Sequence, residues 1–228
     1  NEKNSLGLDI CFKEYENPLE LFKEWNKLKE DLISANNDFI EYLEANIEHK
    51  FPSEAKMVEI GSYFGESTML FASTGIFKEI HCIDPFKGEE EMNDWYGYDW
   101  DLVKKEFKTN TRYFDNIILH EDYSYNVIDE FKDNSIDFVY IDGNHSYEDT
   151  KKDIELYLPK IKQSTADYYL TMSTKDGNTS GVKDSQFSGV IGGHDYHVGA
   201  HPGVMKAVDE LLGKPDEVFR DNSWVKKL

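Results

Sequence analysis

A short apolar run recurs along this chain, and three times it ends on a glycine or aspartate, with a helical pattern following further on. Residues 57–60 stop at Gly61, 80–83 at Asp84 and 136–141 at Asp142. Residues 116–120 and 189–193 read as two further strands of the same kind. Apolar runs of this length, bounded by turn residues and separated by helix-length segments, are strands linked by helical crossovers. Repeated β-α-β units imply a mainly parallel sheet with helices on both faces. The expected fold is therefore α/β and doubly wound. Ligands on such a sheet bind at the carboxyl ends of the strands, near the point where strand order reverses.

The intervening segments supply the helices, at about 67–73, 102–110, 125–131, 148–161 and 202–212. In the fourth of these, Ile154, Leu156, Leu158 and Ile161 are the candidate buried positions. Val218-Phe219 and Trp224-Val225, separated by Asp221-Asn222, read as a terminal antiparallel hairpin. Ahead of the sheet, Asn17-Pro18 opens a helical pattern carried by Leu21, Phe22, Trp25, Leu28 and Leu32. Asn36-Asn37 interrupts it, and Phe39, Ile40, Leu43 and Ile47 continue on a second helix. The division expected is a helical cap over 1–55 packed on a main domain over 56–228.

Charge narrows the partners. With 45 acidic against 25 basic side chains the net charge is −20, which repels phosphate backbones and anionic headgroups. A nucleic-acid substrate and a membrane-surface role are disfavoured, whereas a small neutral acceptor fits. Cys11 and Cys82 form no spaced framework and no CxxC pair, so a reduced, cytoplasmic setting is the default expectation. No apolar stretch approaches the ~20 residues of a membrane span.

The first chemical motif is Val58-Glu59-Ile60-Gly61-Ser62-Tyr63-Phe64-Gly65-Glu66-Ser67-Thr68. Gly61 permits a sharp turn, Gly65 lets the backbone approach a ligand, and the helix that follows offers free N–H groups. A dinucleotide fingerprint needs glycine where Tyr63 stands. The acidic residue two places before the first glycine, with a second glycine four later, resembles the first motif of the class I S-adenosylmethionine-dependent methyltransferases. That resemblance makes Glu59, Gly61, Ser62, Tyr63, Gly65 and Ser67 candidate cofactor contacts. Asp84 is then placed to accept both ribose hydroxyls, and Asp122 and Ser124, after the third strand, lie where this fold contacts adenine.

The most specific stretch runs from Ile136-Asp137-Phe138-Val139-Tyr140-Ile141-Asp142-Gly143 to Asn144-His145-Ser146-Tyr147-Glu148. Together with the later Gly192-Gly193-His194-Asp195-Tyr196, it resembles the small-molecule, sugar O-methyltransferase-like group (methyltransferase domain 24 type). The resemblance covers roughly residues 57–228. It implies S-adenosylmethionine as cofactor and a seven-stranded methyltransferase sheet, with Asp142 over both cofactor and reaction centre. Metal-dependent sugar O-methyltransferases hold a divalent ion with acids at the ends of the fourth and fifth strands. They use a histidine three residues after the first acid as general base. Carried over, this implies His145 and Asp142 as catalytic residues, and Asp142, His194 and Asp195 around Mg²⁺ or Mn²⁺. Where such relatives have an Asp-Asp pair this chain has His194-Asp195, so the ion itself is left open. His194, His197 and His201 lack the ligand spacing of a known zinc site.

Between Lys162 and Gly189 the chain departs from that group. Tyr168-Tyr169-Leu170-Thr171-Met172 favours a strand and Asp176-Gly177 a hairpin turn, so 163–188 is expected to be an inserted β-hairpin. It serves either as a lid over the acceptor or as a subunit contact in a homo-oligomer. Trp95, Tyr96, Tyr98 and Trp100 either stack on a sugar or aryl acceptor or pack against the sheet edge. The function expected is S-adenosylmethionine-dependent O-methylation of a small hydroxylated acceptor, a sugar or sugar-containing metabolite. The alternatives are a catalytically silent S-adenosylmethionine-binding module and a metal-dependent hydroxylase-like relative.

Overall fold

The computed structural model describes residues 36–47, 55–87, 99–163, 169–173, 179–183 and 189–228, with Lys27 and Ser34 besides. In chain order the sheet is built from β1 (Ala55–Ile60), β2 (Phe77–Ile83), β3 (Ile117–His120), β4 (Phe138–Ile141), β7 (Val190–Gly193), β8 (Glu217–Val218) and β9 (Trp224–Lys227). Its order across the sheet is β3-β2-β1-β4-β7-β9-β8. The first five of these strands in space run parallel, and β9 and β8 are antiparallel additions at one edge. Strand order therefore reverses between β1 and β4. Register aligns Ile60 with Ile83 on one side and with Ile141 on the other, and Ile141 with Gly193. Gly61, Asp84, Asp142 and His194 consequently emerge at one edge of the sheet.

Helices cover both faces. They are α1 (Asn37–Asn46), α2 (Glu66–Thr74), α3 (Trp100–Thr111), α4 (Ser124–Val127), α5 (Tyr147–Tyr157) and α6 (Pro202–Leu211). One apolar layer joins Met57, Phe71, Ile80, Phe107 and Phe138; the other joins Val58, Ile83, Val139, Ile154, Ile191 and Trp224. The alternation of β1 and β4 residues between these layers is the period-2 pleat of a strand buried on both sides.

Phe39, Ile40, Leu43 and Ile47 are all buried, and Phe39 meets Phe71, Phe138, Tyr140 and Phe219. That helix of the expected cap thus packs on the main sheet. The earlier one, expected from Asn17-Pro18 onward, lies outside the described residues except for Lys27 and Ser34, as do Trp95, Tyr96 and Tyr98. The pattern read as one helix over 125–131 is the single turn α4 followed by a 3₁₀ turn, Ile128–Glu130. Likewise α5 gives way to a 3₁₀ turn at Leu158–Lys160. Pro159 removes a donor and cannot sit in a helix interior. Ile154 and Ile161 are buried as expected, whereas Leu156 and Leu158 are only partly buried and Tyr157 takes the core position between them. In the inserted segment, β5 (Tyr169–Ser173) and β6 (Thr179–Lys183) pair antiparallel as a separate two-stranded unit.

Candidate active site

Glu59 is fully buried beneath the first glycine turn, where Ser67 Oγ donates to it at 2.6 Å and Thr68 Oγ1 also donates. Burial raises its pKa against the pull of those hydroxyls. The carboxyl thereby ties β1 to the first turn of α2, so Ser67 faces inward to Glu59. Above this tie the chain reverses through Gly61, at φ +84°, whose N–H donates to Ile83 O. A Cβ on Gly61 would lie 2.1 Å from the carbonyl oxygen of Asp142. Ser62 is buried and Tyr63 has φ 44°. The Gly65 N–H closes the turn on Ser62 O at 2.7 Å.

Asp84, at the end of β2, is buried beside this turn. One carboxylate oxygen accepts the Tyr63 N–H at 2.9 Å and the other accepts the Phe86 N–H at 2.7 Å. Burial raises its pKa and these N–H groups lower it. Each oxygen keeps a second lone pair, the capacity a diol needs. Asp122, by contrast, is exposed after β3, accepting from Tyr123 N and Asn126 Nδ2. The Ser124 hydroxyl donates to Asp153, a buried carboxyl on α5 that sequence reasoning passed over. Burial pushes Asp153 up to about 6.

The second half of the site gathers where β4 and β7 end side by side. His145 Nε2 lies 2.8 Å from Asp195 Oδ2 and 3.7 Å from Asp142 Oδ1. His194 Nδ1 lies 3.4 Å from Asp195 Oδ1 and 4.0 Å from Asp142 Oδ1. Burial alone would depress both imidazoles, but the facing carboxylates outweigh it and carry each to about 9. Burial raises Asp142, although His145 and His194 pull it down. Asp195 ends far below the usual carboxylate range because the same two histidines overcome its burial. One ligand atom from each of Asp142, His194 and Asp195 lies within 4.8 Å of the others. Two carboxylates and one imidazole suit a divalent ion such as Mn²⁺ or Mg²⁺, with waters completing the shell. The donors present therefore fit the ion that the motif implied.

Residues 58–166, which run from β1 past the Asp142-to-Glu148 motif, match a family model described as a methyltransferase domain. The matched stretch, a little under half of the chain, is thus similar to a methyltransferase domain. The architecture agrees over the rest of the length. The structure of CalS11, a calicheamicin methyltransferase, is 17% identical with a TM-score of 0.53, covering 98% of this chain and 88% of that one. A Staphylococcus aureus protein provisionally assigned as a caffeoyl-CoA O-methyltransferase is 15% identical with a TM-score of 0.51, covering 92% and 91%. At such identities the two share the fold with this chain. The uncharacterized protein y4gI of Sinorhizobium fredii is 27% identical over 110 residues. That alignment spans 46% of this chain and 12% of the much longer y4gI. Among the described residues no helix is long and apolar enough to cross a membrane.

Proposed function

We propose that the protein transfers the methyl group of S-adenosylmethionine to a hydroxyl of a small acceptor, a sugar or sugar-containing metabolite. One observation carries this reading: the Gly61 turn, closed over the buried Asp84, touches the backbone of Asp142, whose side chain faces His145, His194 and Asp195. A cofactor cradle and a proton-handling cluster thus share one sheet edge. The cofactor would lie over Gly61 and Gly65, its ribose hydroxyls donating to Asp84 and its adenine near Asp122 and Ser124. Glu59 and Ser67 would act by holding the turn, and Ser62 and Tyr63 would line it.

Methyl transfer is an in-line displacement, so the site must align oxygen, carbon and sulfur and take the hydroxyl proton. Asp142, His194 and Asp195 would hold a divalent ion, Mg²⁺ or Mn²⁺, which when bound lowers the acceptor's pKa. With Asp142 and Asp195 facing it, His145 stays protonated at neutral pH. Once those carboxylates are otherwise engaged, its Nε2 would be free to accept the hydroxyl proton. The strongly negative surface supports a small acceptor in place of nucleic acid or membrane. We assign residues 1–55 as the cap and 163–188 as an insertion that acts as lid or subunit contact in a cytoplasmic enzyme. Formation of S-adenosylhomocysteine with a panel of hydroxylated acceptors tests the reading. Turnover with a sugar hydroxyl is expected, and binding of S-adenosylmethionine without turnover on any acceptor would overturn it.

A further inference from the structure

The histidine-rich loop after β7 does not act as one unit. His197 Nδ1 accepts the N–H groups of Gly199 and Ala200 at 3.1 Å each, so this imidazole is spent on shaping the loop. His201 does something different. It precedes α6, and its ring lies 4.4 Å from that of His145, centroid to centroid. The approach is enforced by backbone packing: a Cβ on Gly203 would sit 2.6 Å from Tyr147 N and 2.7 Å from His145 O. The start of α6 can lie this close to the segment after β4 because position 203 has no side chain.

Three donors converge there. His145 Nε2 is 2.8 Å from Asp195 Oδ2, His201 Nε2 is 3.6 Å from Asp195 Oδ1, and one ligand atom from each residue lies within 4.8 Å of the others. An ion bonded at ~2.0–2.2 Å needs its donors ~3–4 Å apart, so small side-chain rotations suffice to close on one. His145 Nε2 is buried with no hydrogen-bond partner, while the His201 side chain is about one-third exposed beside it. Asp195 is held at φ 61°, a left-handed backbone uncommon outside glycine, and places its carboxylate between the two groups of ligands.

We propose that His145, Asp195 and His201 form a second cation position, which shares Asp195 with the Asp142–His194–Asp195 set. Two imidazoles and one carboxylate select a borderline transition ion such as Zn²⁺ or Co²⁺, where an oxygen-dominated set suits Mg²⁺. On the function proposed above, occupancy here and proton acceptance by His145 exclude each other, so the second position switches transfer off.

The test is a Co²⁺ titration of metal-stripped full-length protein, followed by visible d–d absorption and by calorimetry. His201→Phe, which keeps a ring against His145, should weaken Co²⁺ binding by at least the ~10–100-fold that loss of even an outer partner costs. His194→Ala removes a ligand of the first set and none of the second, so the Co²⁺ binding that depends on His201 should persist in it, and unchanged melting of the metal-free variants checks their folding. No Co²⁺ binding, or loss in His194→Ala with none in His201→Phe, would overturn the proposal. Calorimetry with S-adenosylhomocysteine on the same protein separates the two claims. Cofactor binding without Co²⁺ binding removes only the second cation position, and the reverse removes only the methyl-transfer reading.

Discussion

Gly61 and Asp142 meet backbone to backbone: the Cβ that Gly61 lacks would stand 2.1 Å from the Asp142 carbonyl oxygen. The turn expected to carry the cofactor and the strand end expected to carry the chemistry are therefore one packed unit. Gly61→Ala must move that carbonyl or open the turn, and it also places a side chain at φ +84°. We expect a loss of several kcal/mol, the range of strained or overpacked sites, together with loss of cofactor binding. Gly75 is the control. At φ +74° it has nothing within 4 Å of its missing Cβ, so Gly75→Ala should cost only the ~1–2 kcal/mol of left-handed backbone. Equal thermal shifts for the two variants would contradict the packing account.

Asp153 makes stability depend on pH. Its pKa rises from 3.8 to about 6 in the folded protein because it is buried, so the native state holds a proton that the unfolded chain releases. Stability contributed by this group is therefore present below pH ~4 and declines as pH rises through 6. Asp153→Asn keeps a polar partner for Ser124 without the buried charge. It should melt close to wild type at pH 4 and exceed it above pH 7 by up to ~3 kcal/mol, at ~1.4 kcal/mol per pH unit. A difference independent of pH would show that Asp153 does not titrate in this range.

Much of this arrangement was legible in the chain. Strand ends at Gly61, Asp84 and Asp142 were marked by residues that stop apolar runs, and β-α alternation set the strands parallel. Two contributions were hidden. Asp153 looks like one acid among several on an amphipathic helix, and only tertiary packing turns it beneath Ser124. His201 enters the site because α6 leans on residues 145–147 through Gly203, a contact between segments more than fifty residues apart that no local spacing encodes.

His145 carries the catalytic part of the proposal. His145→Ala should lower turnover by ~10²–10⁴-fold, the usual worth of a positioned acid or base, while S-adenosylhomocysteine binding is retained. Single-turnover formation of S-adenosylhomocysteine at saturating cofactor reads this directly. Activity within tenfold of wild type would move the base to Asp142 or Asp195.

Chelation addresses the ion. Stripping divalent metal should lower the same rate, and added Mg²⁺ or Mn²⁺ should restore it, because Asp142, His194 and Asp195 offer hard oxygen donors with one imidazole. Full activity in metal-free protein would leave His145 acting without an ion.

The central claim is that the Gly61 turn and Asp84 bind S-adenosylmethionine, and calorimetric titration with S-adenosylhomocysteine reads it most directly. One molecule should bind per chain. Asp84→Ala should weaken that binding by a few kcal/mol, since hydrogen bonds to a charged group are worth ~1.5–3 kcal/mol each. An absence of binding to the wild-type protein would contradict the account, as would binding that Asp84→Ala leaves unchanged.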